Sequence, residues 1–510
     1  MLDNLILGFQ TALTLENILW CFIGVVLGTV IGLMPGLGST TGVAILIPLT
    51  LTLEPVTALI MLAGIYYGAQ YGGTITSVLI STPGEAASVV TTLDGYQMAR
   101  NGRAGAALAI SAIGSFIAAI ISLGLLMALA PPLADLALNF GPVENLAIMI
   151  LGLVIVVSFA GGSLARGLMM AAAGLLISTV GVATGFSSAR FTFGNVDLLG
   201  GIPFVEVMIG LFAVGEVLHQ VRVGAAAPIK ARFKDMVITK NELKRSVGPI
   251  FRGSGIGFAL GILPGAGSTL ASFMSYGIEK KVSPNKKVFG KGAIEGVAAP
   301  EAANNAAANA NFVPTLALGI PGGGTTAVLL GAFTMYGLQP GPLLFETQPT
   351  LVWGLLVSFF IGNVLLLILN LPLAPVFAQM LRIPYGFLYP IILLTSFIGA
   401  YAVSNNMFSV VLVLIFGLLG YVMKEIDLPV APLVLGLVLG PLFEKALVQT
   451  SALGQGNFGI MLESPISIGI LLFALLMAVG PMILTKLRAP GKARRAAAAS
   501  SERAEDKVDA

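Results

Sequence analysis

The chain alternates long apolar runs with short polar segments. Runs such as 104–130, 143–160 and 466–484 are each long enough to cross a bilayer, which takes about 20 apolar residues. Such runs predict roughly ten or eleven crossings together with shorter, interrupted segments. Because a single chain satisfies its backbone groups in lipid mainly by forming helices, the pattern predicts an all-α polytopic membrane protein.

Apolar segments are interrupted twice in the same way. The stretches "GLMPGLGST" (32–40) and "GILPGAGST" (261–269) combine a proline with several glycines, which should break a membrane helix. A second pair follows in the same order, "SVLISTPGEAASVV" (77–90) and "LALGIPGGGTTAVL" (316–329). The first pair is offset by 229 residues and the second by 238, so the sequence predicts two structural repeats.

The distribution of basic residues predicts the orientation. No Lys or Arg precedes Arg100, and of the 27 in the chain eight lie in 221–252, five in 280–291 and seven in 486–510. Cytoplasmic segments carry such an excess, so these three segments are expected inside and the amino terminus in the periplasm. The last segment is polar and of low complexity, which favours a disordered cytoplasmic tail. Arg190, near a loop expected outside, fits this pattern poorly.

Segment 253–279 lies between two basic stretches that are both expected inside. It is therefore predicted to enter and leave on the same side as a re-entrant hairpin, whose tip reaches about half the hydrocarbon core. The alternative is one tilted, kinked crossing that would place the following lysines outside. The first copy, 17–50, is flanked by acids and no bases, so its tip should descend from the outer face.

This topology predicts a division into two repeats of opposite orientation. The first repeat covers 1–220, with its hairpin at 17–50 and a broken helix at 81–85. A basic cytoplasmic linker, 221–252, leads to the second repeat, 253–485, with its hairpin at 253–279 and a broken helix at 319–326. The tail is 486–510. Five crossings separate the two hairpins, so the second repeat should be inverted.

The four interruptions form the candidate substrate site. Unwound backbone at membrane depth is tolerated only where it is buried or faces a wet cavity. Helix starts after a break attract anions, and carbonyls before it hold cations, although packing kinks are the alternative. Hydroxyls after the breaks are expected to cap the new helices. The candidate residues are Pro35, Gly36, Gly38, Ser39, Thr40, Ser81, Thr82, Pro83, Gly84, Pro264, Gly265, Gly267, Ser268, Thr269, Pro321, Gly322, Gly323, Gly324, Thr325 and Thr326.

Buried amides and acids are the candidates for ion coupling. Asn304, Asn305 and Asn309 lie in an alanine-rich run and need partners, which are either an ion or substrate or else a neighbouring helix. Glu85 follows a break directly, so it is either a proton or cation site or an acid that stabilises a helix start. Glu301 has the same two interpretations. Tyr66, Tyr67 and Gln70 occupy the corresponding place in the first repeat.

Several classes of function are excluded or disfavoured. A single cysteine, Cys21, cannot form an internal disulfide, and the lone His219 cannot build a metal site by itself. His219 is expected at the membrane boundary, with a proton relay as the alternative. A net charge of +3 does not indicate nucleic-acid binding. No phosphate-binding loop of the G-x-x-x-x-G-K-[ST] type is present, and no nucleophile and base suggest an intramembrane enzyme.

The motifs resemble the TctA family, the large membrane subunit of tripartite tricarboxylate transporters. The matching stretches are "GLMPGLGST", "YYGAQYGGTITSVLISTPGEAASVVTTLDG", "GILPGAGST", "APEAANNAAANANFVPTLALGIPGGGTTA" and "YGLQPGP". The resemblance implies a bacterial inner-membrane permease that works with a small membrane subunit and a periplasmic solute-binding protein. It also implies uptake of a carboxylate, without a cofactor, coupled to an ion gradient that is commonly sodium. A proton-coupled transporter and an anion channel are the alternatives.

Overall fold

In the computed structural model of the chain, the described residues are 2–34, 36–159, 164–183, 188–221, 236–265, 267–380 and 385–479. The predicted tail, most of the predicted linker, and positions 35 and 266 lie outside them. The described part is α-helical apart from short 3₁₀ and π segments and one antiparallel strand pair, β1 (Gly181–Val182) and β2 (Ala189–Arg190). This agrees with the predicted all-α class.

The first half contains ten α-helices. They are α1 (Leu2–Ala12), α2 (Leu15–Gly32), α3 (Gly38–Leu46), α4 (Pro55–Ile80), α5 (Thr92–Arg100), α6 (Ala104–Ala137), α7 (Pro142–Phe159), α8 (Leu164–Ser178), α9 (Phe204–Met208) and α10 (Gly215–Gln220). A π-helical segment, Ile209–Val214, joins α9 to α10, and 3₁₀ turns occupy Ile47–Thr50, Ala86–Ser88 and Val196–Leu198.

The second half contains eleven more helices within the described residues. They are α11 (Lys240–Gly261), α12 (Gly267–Val282), α13 (Glu295–Ala310), α14 (Phe312–Leu318), α15 (Gly324–Met335), α16 (Leu344–Thr347), α17 (Pro349–Met380), α18 (Tyr385–Ser404), α19 (Met407–Glu425), α20 (Val430–Leu453) and α21 (Pro465–Val479). Two 3₁₀ turns lie at Lys286–Val288 and Phe458–Leu462.

Helix length and apolarity show a multi-pass membrane protein. Five described helices, α2, α6, α17, α19 and α20, contain a stretch long and apolar enough to cross a bilayer. Six shorter apolar segments accompany them, and three of these contain or coincide with α3, α8 and α15. The expected count of ten or eleven crossings stays a prediction.

Each predicted hairpin is a pair of helices separated by a short break. α2 ends at Gly32 and α3 begins at Gly38, while α11 ends at Gly261 and α12 begins at Gly267. The two helices of each pair contact each other. α11 starts earlier than the predicted hairpin arm, because Thr239 and Glu242 form a capping box at its amino end.

Glycines pack the first helix of each pair against the helix that follows the pair. A Cβ at any of these glycines would collide with backbone atoms of the neighbouring helix, so the two helices approach closely only because glycine lacks a Cβ. In the first half the contacts are Gly24 with Met61, Gly28 with Ile65 and Gly32 with Ala69. In the second they are Gly253 with Ala299, Gly257 with Ala303 and Gly261 with Ala307.

The helices that receive these glycines, α4 and α13, lie in the centre of the protein. All residues of α4 from Thr57 to Ile80 are buried, and so is the whole of α13. Both helices therefore bury their polar side chains as well as their apolar ones. These buried polar groups and the ends of α4 and α14 define the candidate site.

Candidate functional site

The break between α2 and α3 contacts the break at the end of α4. Gly36 and Gly38 have φ angles of +85° and +64°, which glycine adopts without strain. The backbone N–H of Ser39 donates a 2.6 Å hydrogen bond to Oε2 of Glu85. Pro35 lies outside the described residues. The Glu85 carboxylate therefore engages a backbone donor at the start of α3.

Two local predictions about these breaks are wrong. α3 begins at Gly38 with Leu37 at its N-cap and no side-chain cap, so Ser39 lies inside the first turn and does not cap it. After 81–85 the chain forms a 3₁₀ turn, and the next α-helix begins only at Thr92. Glu85 thus stabilises the start of α3 and not an α-helix of its own.

The break at the end of α4 is fixed by hydrogen bonds to its own helix. The N–H of Gly84 donates to the hydroxyl of Thr76 at 2.9 Å. A Cβ at Gly84 would collide with the carbonyl oxygen of Gly32, at the end of α2. The other predicted residues of this break, Ser81, Thr82 and Pro83, are at least partly exposed, and Ser81 has a left-handed φ of 55°.

The second half repeats this contact between its two breaks. The N–H of Gly265 donates to the carbonyl oxygen of Gly322 at 2.9 Å, and the N–H of Gly322 donates to the hydroxyl of Thr315 at 3.3 Å. Gly267, at the start of α12, has a φ of +61°. Of the other predicted residues, Pro264, Ser268, Pro321, Thr325 and Thr326 are buried, and Thr269, Gly323 and Gly324 are partly exposed.

The breaks of the two halves also meet. The hydroxyl of Thr325 forms hydrogen bonds with the hydroxyls of Ser39 (2.8 Å) and Thr40 (3.0 Å). A Cβ at Gly323 would lie 3.9 Å from the Cα of Gly267. The structure thus brings 36–40, 81–85, 264–269 and 321–326 together in one cluster, which we call the tip cluster.

Glu301 lies buried behind the tip cluster and is held by hydroxyl groups. Its carboxylate accepts hydrogen bonds from Thr74 (2.7 Å), Thr91 (2.5 Å) and Ser111 (3.3 Å). Among the described residues, no basic side chain forms an ion pair with it. A buried carboxyl group surrounded only by neutral donors is a candidate for proton or cation exchange.

Two of the predicted asparagines connect helices. Asn309 accepts a hydrogen bond from the hydroxyl of Tyr67 and donates to the carbonyl of Ala119 (2.9 Å) and to Ser122 (2.8 Å). Asn305 donates to Ser115 at 2.7 Å. Of the two interpretations of these amides, interhelical bonding is therefore observed for both residues.

Asn304 differs from its neighbours because neither atom of its amide has a partner within the described part of the chain. The carbonyl oxygens of the buried Gln70 and Asn311 side chains are likewise unpartnered there, while the Asn311 amide donates to Tyr66 at 3.1 Å. Buried polar atoms normally have partners, so these oxygens are available to a ligand. Asn311 was missed by the sequence analysis, although it follows Asn304 by seven residues, a spacing that places both on one helix face.

A charged pair also lies beside the tip cluster, contrary to the impression given by the sequence. Lys424, near the end of α19, forms an ion pair with Glu216 of α10. A Cβ at Gly36 would lie 2.6 Å from Oε1 of Glu216 and would collide with the side chain of Gln220. The nearest basic side chain is thus supplied by a helix far away in sequence.

Ion pairs hold together the segments that the charge distribution predicts to be cytoplasmic. Arg245 pairs with Glu295 through two hydrogen bonds of 2.9 Å, and Arg252 pairs with Glu279 at 2.8 and 2.9 Å. Burial alone would raise the pKa of Glu295, but hydrogen bonds from Arg245 and Asn285 lower it below its usual value. The charged form of Glu295 is therefore stabilised by folding.

The fold and the tip cluster define the class of protein. It is a multi-pass α-helical membrane protein in which interrupted helices from both halves meet in the interior, an arrangement found in secondary transporters. The model of the tripartite tricarboxylate transporter TctA family matches residues 18–435. The chain belongs to this family and is thus a component of a tripartite tricarboxylate transporter.

Two similar proteins come from Agrobacterium vitis. One is an uncharacterized 52.8 kDa protein of the TAR-I ttuC′ 3′ region, 46% identical over 490 residues, which are 95% of this chain and 98% of that protein. The other is an uncharacterized protein of the TAR-II ttuC′ 3′ region, 46% identical over 233 residues, or 45% of this chain and 96% of that protein. No solved structure matches the chain.

Proposed function

We propose that the chain is the permease of a secondary active uptake system. A periplasmic solute-binding protein delivers a tricarboxylate or related carboxylate, and a small membrane subunit completes the complex in the bacterial inner membrane. The convergence of four helix breaks from both halves supports this proposal most strongly. Such breaks place backbone donors and acceptors where a substrate and an ion can bind together.

The anion is bound in the tip cluster by neutral groups. The start of α3, α12 and α15 each supply free N–H groups and hydroxyls, and helix starts favour negative charge. Within the described residues of the tip cluster there is no Lys or Arg. A site of this kind binds weakly enough to release its substrate, as transport requires.

The two halves are inverted repeats. This is supported by the matched glycine contacts, because Gly253 follows Gly24 by 229 residues while their partners Ala299 and Met61 are 238 apart. These are the same offsets that relate the two pairs of breaks. Inversion is tested by labelling single cysteines in a Cys21→Ser background. Lys287→Cys, at an exposed position, should react only from the cytoplasm.

The periplasmic reference for this experiment is Thr52→Cys, which is also exposed and lies in the loop after the first hairpin. It should react only from outside. Reaction of the residue 287 cysteine from the periplasm would contradict the re-entrant hairpin, because the segment would then cross the membrane once.

Coupling is to sodium, bound by amides, hydroxyls and carbonyls near Asn304. Among the described residues no group of three or more His, Cys, Asp or Glu side chains could hold a metal ion, so neutral oxygens are the available ligands. Proton coupling is the second candidate, because Glu301 is buried without a basic partner and Glu85 lies in the tip cluster.

Uptake of labelled carboxylates by the reconstituted three-part system tests the function. Accumulation should require the binding protein, should saturate and should stop when the sodium gradient is collapsed. Accumulation that continues without sodium but stops when the proton gradient is collapsed would assign coupling to Glu85 or Glu301. Flux that needs no gradient and no binding protein would indicate an anion channel.

A further inference from the structure

A cavity of about 440 Å³ lies apart from the tip cluster, between α8, the strand pair, α15 and α20. This volume is within the range of about 300–1,000 Å³ that is typical of small-molecule sites. Gly319, which ends α14 at the second break, and Pro340 both line it, and the two backbones are in close contact. The cavity therefore reaches from the loops predicted to face the periplasm to the edge of the second break.

The charged groups of this cavity, within the described residues, are Arg190 and Glu444. Their side chains form a bidentate pair, with hydrogen bonds of 2.8 and 3.0 Å between the guanidinium and both carboxylate oxygens. The Nε–H of Arg190 is buried and has no partner in the described chain. One donor of the guanidinium is thus left over for a further acceptor.

The rest of the lining is mainly apolar, with hydroxyl and amide groups from three side chains. A guanidinium recognises a carboxylate through two parallel hydrogen bonds, and Glu444 already shows this geometry in the cavity. A carboxylate of a ligand can take the same position if Glu444 turns away. The polar side chains that would meet the remainder of a small acid are Ser178, Thr334 and Gln339.

We propose that this cavity is a second carboxylate site, an outer vestibule where a small organic acid binds Arg190 in exchange for Glu444 before it reaches the tip cluster. The proposal rests on the proposed function, since it assigns the vestibule the same class of substrate. It also accounts for Arg190, whose position fitted the charge distribution poorly. The vestibule holds the acid after release by the binding protein, and Glu444 prevents an empty guanidinium from being left unpaired.

The test uses a readout confined to the vestibule. Val182 lines the cavity and is exposed, so Val182→Cys in a Cys21→Ser background provides a thiol there. The rate of maleimide modification is measured on the purified full chain in nanodiscs of uncharged lipid, with increasing citrate. Citrate should slow modification at residue 182 and leave modification of Thr52→Cys unchanged.

Substitutions of the pair then distinguish a ligand site from a structural ion pair. Arg190→Gln should raise the citrate concentration for half-protection at least about tenfold, and Glu444→Gln should lower it about tenfold, because hydrogen bonds to charged groups are worth that factor or more. The control Arg166→Gln removes a basic side chain outside the cavity and should change nothing. A purely structural pair would give equal effects for the two variants.

Three results would overturn the proposal: no protection by citrate, protection that survives Arg190→Gln, or protection only by anionic lipid added to the nanodiscs. The proposed function fails separately, if the reconstituted system accumulates no carboxylate. Protection at equilibrium needs neither a gradient nor a binding protein, so the two failures are distinguishable.

Discussion

Replacing Gly267 by alanine tests whether the backbone geometry of the second tip is needed for transport. Gly267 has a φ of +61°, and a Cβ there would meet no atom within 4 Å. The substitution therefore adds no collision, and its cost is the left-handed backbone, about 1–2 kcal/mol for a residue with a Cβ. This corresponds to a change of about 5- to 30-fold in the population of the native tip.

The matched control is Gly277→Ala in the same helix. Gly277 is exposed, has no left-handed φ and also leaves a Cβ free of contacts within 4 Å. Alanine there should stabilise α12 by about 0.5–1 kcal/mol through its higher helix propensity. The two variants thus make the same chemical change and differ only in the backbone conformation.

Initial uptake rates in proteoliposomes and thermal unfolding in detergent are the measurements. Gly267→Ala should lower uptake about 5- to 30-fold while the protein still inserts and folds, and Gly277→Ala should not lower it. Gly267→Val, with a branched side chain, should be more severe. Equal uptake by Gly267→Ala and wild type would refute the requirement for this tip geometry.

Three further predictions concern the contacts around the tip cluster. Ser39→Ala and Thr325→Ala should be coupled by about 0.5–1.5 kcal/mol in a double-mutant cycle of apparent substrate affinity, and independent effects would contradict a shared site. Asn304→Ala should raise the sodium concentration for half-maximal uptake about tenfold with little change in thermal stability, because its amide gives up no partner among the described residues; unchanged sodium dependence would remove it as a ligand. Since the pKa of Glu295 is lowered in the folded protein, its contribution to stability should be present above its unfolded pKa of about 4.3 and lost as pH falls through the folded value. Glu295→Gln should flatten that acid decline in unfolding temperature, and Arg245→Gln should do the same.

The positions of the breaks could be predicted from the sequence because they depend on local chemistry. Proline and glycine disrupt a helix wherever they occur, and α2, α4, α11 and α14 end where the motifs indicated. The repeat of the motifs at fixed offsets also predicted which breaks correspond. These inferences need no knowledge of how distant segments pack.

The partners of the site could not be predicted, because they depend on packing between segments far apart in sequence. Lys424 pairs with Glu216 across 208 residues, and Arg190 with Glu444 across 254. The role of Glu85 at the start of α3 required the three-dimensional contact with Ser39. Asn309, a candidate ion ligand, instead bonds to other helices, a choice that composition left open.

A cryo-electron microscopy map of the chain with its small membrane subunit, in citrate and sodium, tests the central claim most directly. We expect density for the acid in the tip cluster, in contact with the starts of α3 and α12 and near Thr325. Additional density beside Arg190 would agree with the vestibule. Density found only outside the tip cluster, or tips that lie on separate sides of the protein when substrate is bound, would contradict the shared binding site.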